Sequence, residues 1–144
     1  MSRSGALDRI EALLDGVTDP NFIIVARGEP LSISATPMVA FWLSSREVTF
    51  LTFTNASTTT EITIRVYFRM QASQDMRGTT ELDVWDAMVN IDTALRSDSN
   101  LSDNISDMEI GPCNTGYMEI GGVAYRTMDV ILTLEILDEV AITP

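Results

Sequence analysis

The stretch from Tyr117 to Leu137 leaves the chain the fewest options. Gly121-Gly122 supplies the positive φ angles that a tight hairpin turn needs. In the run from Val123 to Leu137 that follows, Met128, Val130, Leu132, Leu134 and Ile136 alternate with Thr127, Asp129, Thr133 and Glu135. Period two over this length marks a strand with one buried face; only Ile131 and Leu137 spoil the polar side. A second strand of the same character lies upstream, where Ile62, Ile64, Val66, Phe68 and Met70 alternate with Glu61, Thr63, Arg65, Tyr67, Arg69 and Gln71. The two are expected to share a sheet. Arg65 and Arg69, with Tyr67 between them on the polar face, form the one basic-aromatic cluster, and Asp129 and Glu135 on the other long strand make it an ion-pairing site across strands or subunits rather than a nucleic-acid contact.

Two amphipathic segments can cover such a sheet. Leu7, Ile10, Leu14 and Val17 recur at helical spacing between Ser4 and Gly16, with Gly16 as the stop. A second helix is predicted from Thr79 or Thr80, the cap, to about Arg96, with Val84, Met88, Ile91 and Leu95 on one face and Trp85 beside it. Between the helices, Phe22 to Ala26 reads as a short strand buried on both faces, and 37–43 and 48–54 as a hairpin turning at Ser44-Ser45-Arg46-Glu47. Asn55 to Thr60 reads as a polar connector, Gln71 to Gly78 as a loop, Ser97 to Asp107 as an acidic loop and Met108 to Ile110 as a short extended piece. The expectation is one α+β domain over residues 1–144, a mainly antiparallel or mixed sheet with two helices packed on it. At 144 residues, 45% of them hydrophobic, the core needs no staple.

Charge narrows the function. The formal net charge is −12, from 21 acids against nine arginines, with no histidine and no lysine. Phosphate-gripping surfaces use clustered Lys and Arg, so a nucleic-acid-binding role is disfavoured. Residues 79–144 hold thirteen of the acids and two of the arginines, which concentrates negative charge in that half of the chain. Without histidine, and with Cys113 alone in a Gly-Pro-Cys-Asn turn, neither a Ser-His-Asp nor a Cys-His arrangement can be built, and the usual zinc ligands number one. No phosphate loop with a lysine is present, so no cofactor is implied and an enzyme is the least favoured class. The N-terminus carries no secretory signal pattern and no apolar run approaches the length of a membrane span, so a soluble, membrane-free protein of a reducing compartment is expected. One cation site deserves weighing. Residues 98–109 place Asp98, Asn100, Ser102 and Glu109 at calcium-loop spacings, but Asp103 stands where the loop wants Gly, and Gly111-Pro112 forbids an exiting helix.

The order of motifs adds a resemblance. An N-terminal amphipathic helix is followed by an apolar strand, then Pro37-Met38-Val39-Ala40-Phe41-Trp42, then a long strand ending at Tyr67-Phe68. A helix with Trp85-Asp86-Ala87 comes next, and Ile120-Gly121-Gly122-Val123-Ala124-Tyr125-Arg126 leads into the final strand. This series resembles the tail terminator, or tail completion, proteins of long-tailed bacteriophages. The resemblance implies a structural virion protein, assembled in the host cytoplasm, that forms a homohexameric ring capping the head-proximal end of the tail tube. Such a ring ends tube polymerisation and provides the surface for head-tail joining. Its partners would be copies of itself, the tail tube protein and a head-completion or connector protein, while genomic DNA passes through without specific binding. Ring contacts would come from exposed edges and loops, with Ser32 and Ser34 in the 31–36 segment, Ser45, Arg46 and Glu47 in the 44–47 turn, and Gln74, Asp75 and Arg77 in the 72–78 loop. The alternatives are another ring-forming virion part, either a connector subunit or the tube protein itself, and a small acidic calcium-binding module.

Overall fold

The computed structural model describes residues 2–50, 55–70 and 74–139. The elements are α1 (Arg3–Asp15), β1 (Ile24–Arg27), β2 (Met38–Phe50), β3 (Asn55–Arg69), α2 (Gln74–Arg96), β4 (Asp107–Ile110), β5 (Asn114–Ile120) and β6 (Val123–Glu139). They make an α+β domain with an open six-stranded mixed sheet in the order β1-β2-β3-β6-β4, with β5 also on β6. β3 holds one edge of β6 from Tyr125 to Glu139, so β4 and β5 share the other. Among the described strands, only the β1-β2 pairing is parallel.

The two long alternating strands are neighbours, in a register that sets Ile62 against Leu132, Ile64 against Val130 and Val66 against Met128. Those side chains point to one face, where Ile10 and Leu14 of α1 and Val84, Ala87, Ile91 and Leu95 of α2 complete the core. α1 starts where Ser2 accepts a hydrogen bond from the Gly5 N–H at 3.0 Å, satisfying one of the donors a helix start leaves open. At the β5-β6 turn, Gly121 and Gly122 take φ of 60° and 78°, the left-handed region that a two-residue hairpin demands.

The opposite face of the sheet carries a smaller cluster of Met38, Ala40, Tyr67 and Tyr125. Tyr67, expected on a polar face, is fully buried there, with its ring edge-on to Tyr125 at a centroid distance of 6.4 Å. Beside it the expected cross-strand pair is present: Arg65 donates from Nε and Nη2 to the two Asp129 carboxylate oxygens at 2.7 and 2.9 Å. The Arg65 guanidinium also lies 5.3 Å from the Trp42 ring centroid.

Several boundaries differ from the sequence reading, each for a local reason. The 44–47 turn does not exist: β2 runs on through it, and the register merely jumps between Leu43 and Ser45. Ser44 occupies that bulge, where its hydroxyl donates to the Glu61 carbonyl at 3.1 Å and lies 3.0 Å from the Thr63 hydroxyl, which donates to it. The expected strand 48–54 is seen to Phe50, its remainder lying outside the described residues. Residues 55–60 are strand rather than connector, because Ala56, Thr58 and Thr60 alternate onto the core face and are buried. The 72–78 loop gives way to helix from Gln74 onward, so Gly78 lies inside α2 and Thr80 is buried within it instead of capping it; residues 71–73 fall outside the described set. β1 is not buried on both faces. It is a partly covered edge strand that begins at Ile24, with Phe22 in the core before it and Ile23 exposed.

Candidate interaction surfaces

Strand β1 pairs with β2 only from Met38 to Phe41. Beyond Phe41, and among the described residues, β2 has a strand neighbour on one side alone, β3. Leu43, next to the bulge at Ser44, is 64% exposed. Between this part of β2 and the first turns of α1 opens a groove of about 350 Å³. Thr60, Ile62, Leu134 and Ile136 of β3 and β6 line it, with Ala6 and Leu7 from the helix. The surface is apolar because β3 and β6 continue their core-facing alternation past the end of the helices. Arg3 and Arg46 also line the groove, and neither has a carboxylate within ion-pair distance among the described residues.

A second apolar surface lies on the outward side of α2. Leu82, Trp85 and Val89, at spacings of three and four, align on one stripe and are 58%, 69% and 51% exposed. The sequence reading placed Trp85 beside the core. The helix in fact buries Val84, Ala87, Ile91 and Leu95, and Trp85 points nearly opposite Ala87. The signal was present in the wheel: Leu82, Trp85 and Val89 form their own stripe half a turn from the buried one. Carboxylates flank it. Asp83 and Asp86 have no cation within ion-pair distance among the described residues, and burial together with Asp86 and Asp19 pushes the Asp83 carboxyl up. Glu81 is paired instead, accepting from Arg126 Nε at 2.8 Å. That bond raises the Arg126 pKa, and its guanidinium stacks 4.5 Å from the Tyr117 ring centroid.

The predicted interface residues divide. Ser45 and Arg46 come to the groove, with Glu47 next along the exposed part of β2. Ser32 and Ser34 are exposed in the irregular segment between β1 and β2, away from the groove lining. Gln74, Asp75 and Arg77 lie in the first turns of α2 rather than in a loop.

The candidate calcium loop is wound on its own hydrogen bonds. The Asp98 carboxylate accepts from the Ser102 N–H and hydroxyl, each at 3.0 Å, and from Arg9 Nε at 2.6 Å. These donors hold its carboxyl below the ordinary range, the Ser102 N–H contributing most. Asn100 donates to Asp103, residues 101–103 take positive φ, and Leu101 and Ile105 anchor the turn in the core. Glu109 stands in β4 opposite Thr133. The first candidate ligand therefore already faces a guanidinium. Among the described residues, no three His, Cys, Asp or Glu side chains gather closely enough to hold a metal ion. Nor, among them, is any helix long and apolar enough to cross a membrane. Cys113 is half-buried, and burial raises its thiol pKa, so it is less thiolate-like than a free cysteine.

No protein-family model matches this sequence, and no curated protein is similar enough to count as a relative.

Proposed function

We propose that this chain is a structural subunit that assembles with copies of itself into a closed ring, and that the ring is a tail terminator: a cap on the head-proximal end of a phage tail tube that stops tube growth and meets the head connector. The observation that carries the reading is the outer half of β2. A strand of 13 residues has its first four covered by β1, and the rest, without a second strand neighbour among the described residues, adjoins an open apolar groove. An uncovered edge beside apolar surface is a pairing and aggregation hazard unless another chain occupies it. The bulge and the charged Arg46-Glu47 blunt that edge against indiscriminate pairing, which suits a subunit that must stop at a defined assembly. The order of motifs in the sequence supports the terminator reading over a generic ring protein.

Native mass spectrometry of the purified protein, alone and with its tube protein, tests this. Single rings, and tubes that cease to lengthen when the protein is added, are the expected outcome. Long tubes formed by the protein alone would make it the tube subunit instead. A single copy under every condition would end the ring reading.

A further inference from the structure

The groove and the α2 stripe are opposite in charge and lie at opposite ends of the helical layer. The groove sits at the N-terminal residues of α1, Arg3, Ala6 and Leu7. The stripe lies toward the other end: Asn90 of α2 donates to the carbonyl of Asp19, past the C-terminus of α1, and Asp19 acts on Asp83. α1 has 13 residues, about 20 Å at 1.5 Å per residue, so one copy cannot close the stripe onto its own groove.

We propose that the Leu82-Trp85-Val89 stripe of one copy packs into the Arg3-Arg46 groove of the next, a head-to-tail contact between two different surfaces. This rests on the ring reading above and names the contact within it. The occupant is a second copy because the two surfaces complete each other. An exposed tryptophan meets an apolar groove, and the carboxylates Asp83 and Asp86 meet the guanidiniums Arg3 and Arg46, all four without an ion-pair partner among the described residues. Pairing stripe with stripe would crowd four carboxylates, and pairing groove with groove would crowd four guanidiniums, so like-with-like dimers are disfavoured and the register is set. A contact between unlike surfaces propagates from copy to copy and closes into a ring when the rotation allows.

The experiment uses full-length chains. In a Cys113→Ser background, Ser45→Cys and Val89→Cys proteins are mixed and oxidised. A cross-linked dimer is expected from the mixture and from neither protein alone. In native mass spectrometry, Trp85→Ala should weaken assembly by about 30-fold or more, the effect of losing a buried tryptophan anchor. Reversing the stripe (Asp83→Arg with Asp86→Arg) or the groove (Arg3→Glu with Arg46→Glu) should abolish assembly in each protein alone and restore it when the two are mixed. All these positions are at least partly exposed, so circular dichroism should show unaltered folding. If the wild type forms rings and the variants assemble just as well, the contact is elsewhere and the proposal falls while the ring reading stands. If the wild type stays a single copy with and without tube protein, the ring reading fails and this contact with it.

Discussion

Replacing Asp129 with alanine should cost this domain more than the loss of an ordinary surface carboxylate, because of what is left behind. Arg65 keeps 17% of its side-chain surface exposed and Asp129 32%, and two hydrogen bonds of 2.7 and 2.9 Å join them. Exposed ion pairs are worth about 0–1 kcal/mol, whereas breaking a fully buried pair costs about 3–5 kcal/mol. This pair lies between those limits, and charged hydrogen bonds of this kind contribute about 1.5–3 kcal/mol. We expect Asp129→Ala to lose about 2–3 kcal/mol, since among the described residues Arg65 then keeps only Glu29, at 3.8 Å and itself well exposed, as a counter-charge. A double-mutant cycle with Arg65→Ala should give a coupling of about 2 kcal/mol. The assay is urea denaturation followed by tryptophan fluorescence at low protein concentration. Most of the coupling should survive about 0.5 M salt, where a solvent-screened pair would fade. A coupling below about 0.5 kcal/mol, the usual error of additivity, would show that the pair is decoration on a strand register set by packing alone.

Three further outcomes follow from the core, a close backbone approach and a titrating group. Leu132→Asp places an unpaired charge at a fully buried position between Ile62 and Ile110, at several kcal/mol against a total stability of roughly 5–15 kcal/mol, and should abolish the folded circular dichroism spectrum. Gly111→Ala sets a Cβ 2.9 Å from the Ile131 carbonyl oxygen, a backbone atom that cannot swing away, so a loss of about 1–3 kcal/mol is expected in denaturant titration, and an unchanged midpoint would refute the crowding. Asp83 has its folded pKa raised, so its contribution to stability is fully present below the ordinary value of 3.8 and is lost as pH rises through the folded value. Asp83→Asn should therefore melt higher than the wild type at pH 7, with the advantage gone below pH 3.8; an equal gain at both pH values would mean that ionisation is not the cause.

The parts of the fold legible in the sequence were those where periodicity and burial agree. β3 and β6 announced themselves because each buries one face against two helices, and the Gly121-Gly122 turn because only glycine takes those angles cheaply. The misread segments are those where polarity and conformation part company. Thr58 and Thr60 count as polar, yet their branched β-carbons suit a strand and their side chains are buried, so what reads as a polar connector is the first part of β3. Ser44-Ser45-Arg46-Glu47 looks like a turn because its residues favour water, but an uncovered strand edge favours water as well. Gly78 and Thr80 resemble a helix start, whereas α2 already begins at Gln74, so tertiary context overrode the local signal.

The candidate surface was less legible, because it emerges from how charges are shared out in space. Five arginines, Arg9, Arg27, Arg65, Arg96 and Arg126, stand against carboxylates. In three of these pairs the partners are far apart in sequence: Arg9 with Asp98, Arg65 with Asp129 and Arg126 with Glu81 are separated by 89, 64 and 45 residues. No local pattern tells which arginines are already engaged. Only after the fold has assigned them do Arg3, Arg46 and Arg69 remain without a carboxylate among the described residues, and two of those three line one apolar groove. Both lie in residues 1–78, which hold eight of the 21 acids, while Asp83 and Asp86 come from the acid-rich half of the chain, so the contact between copies proposed above would join the two sides of an uneven charge distribution.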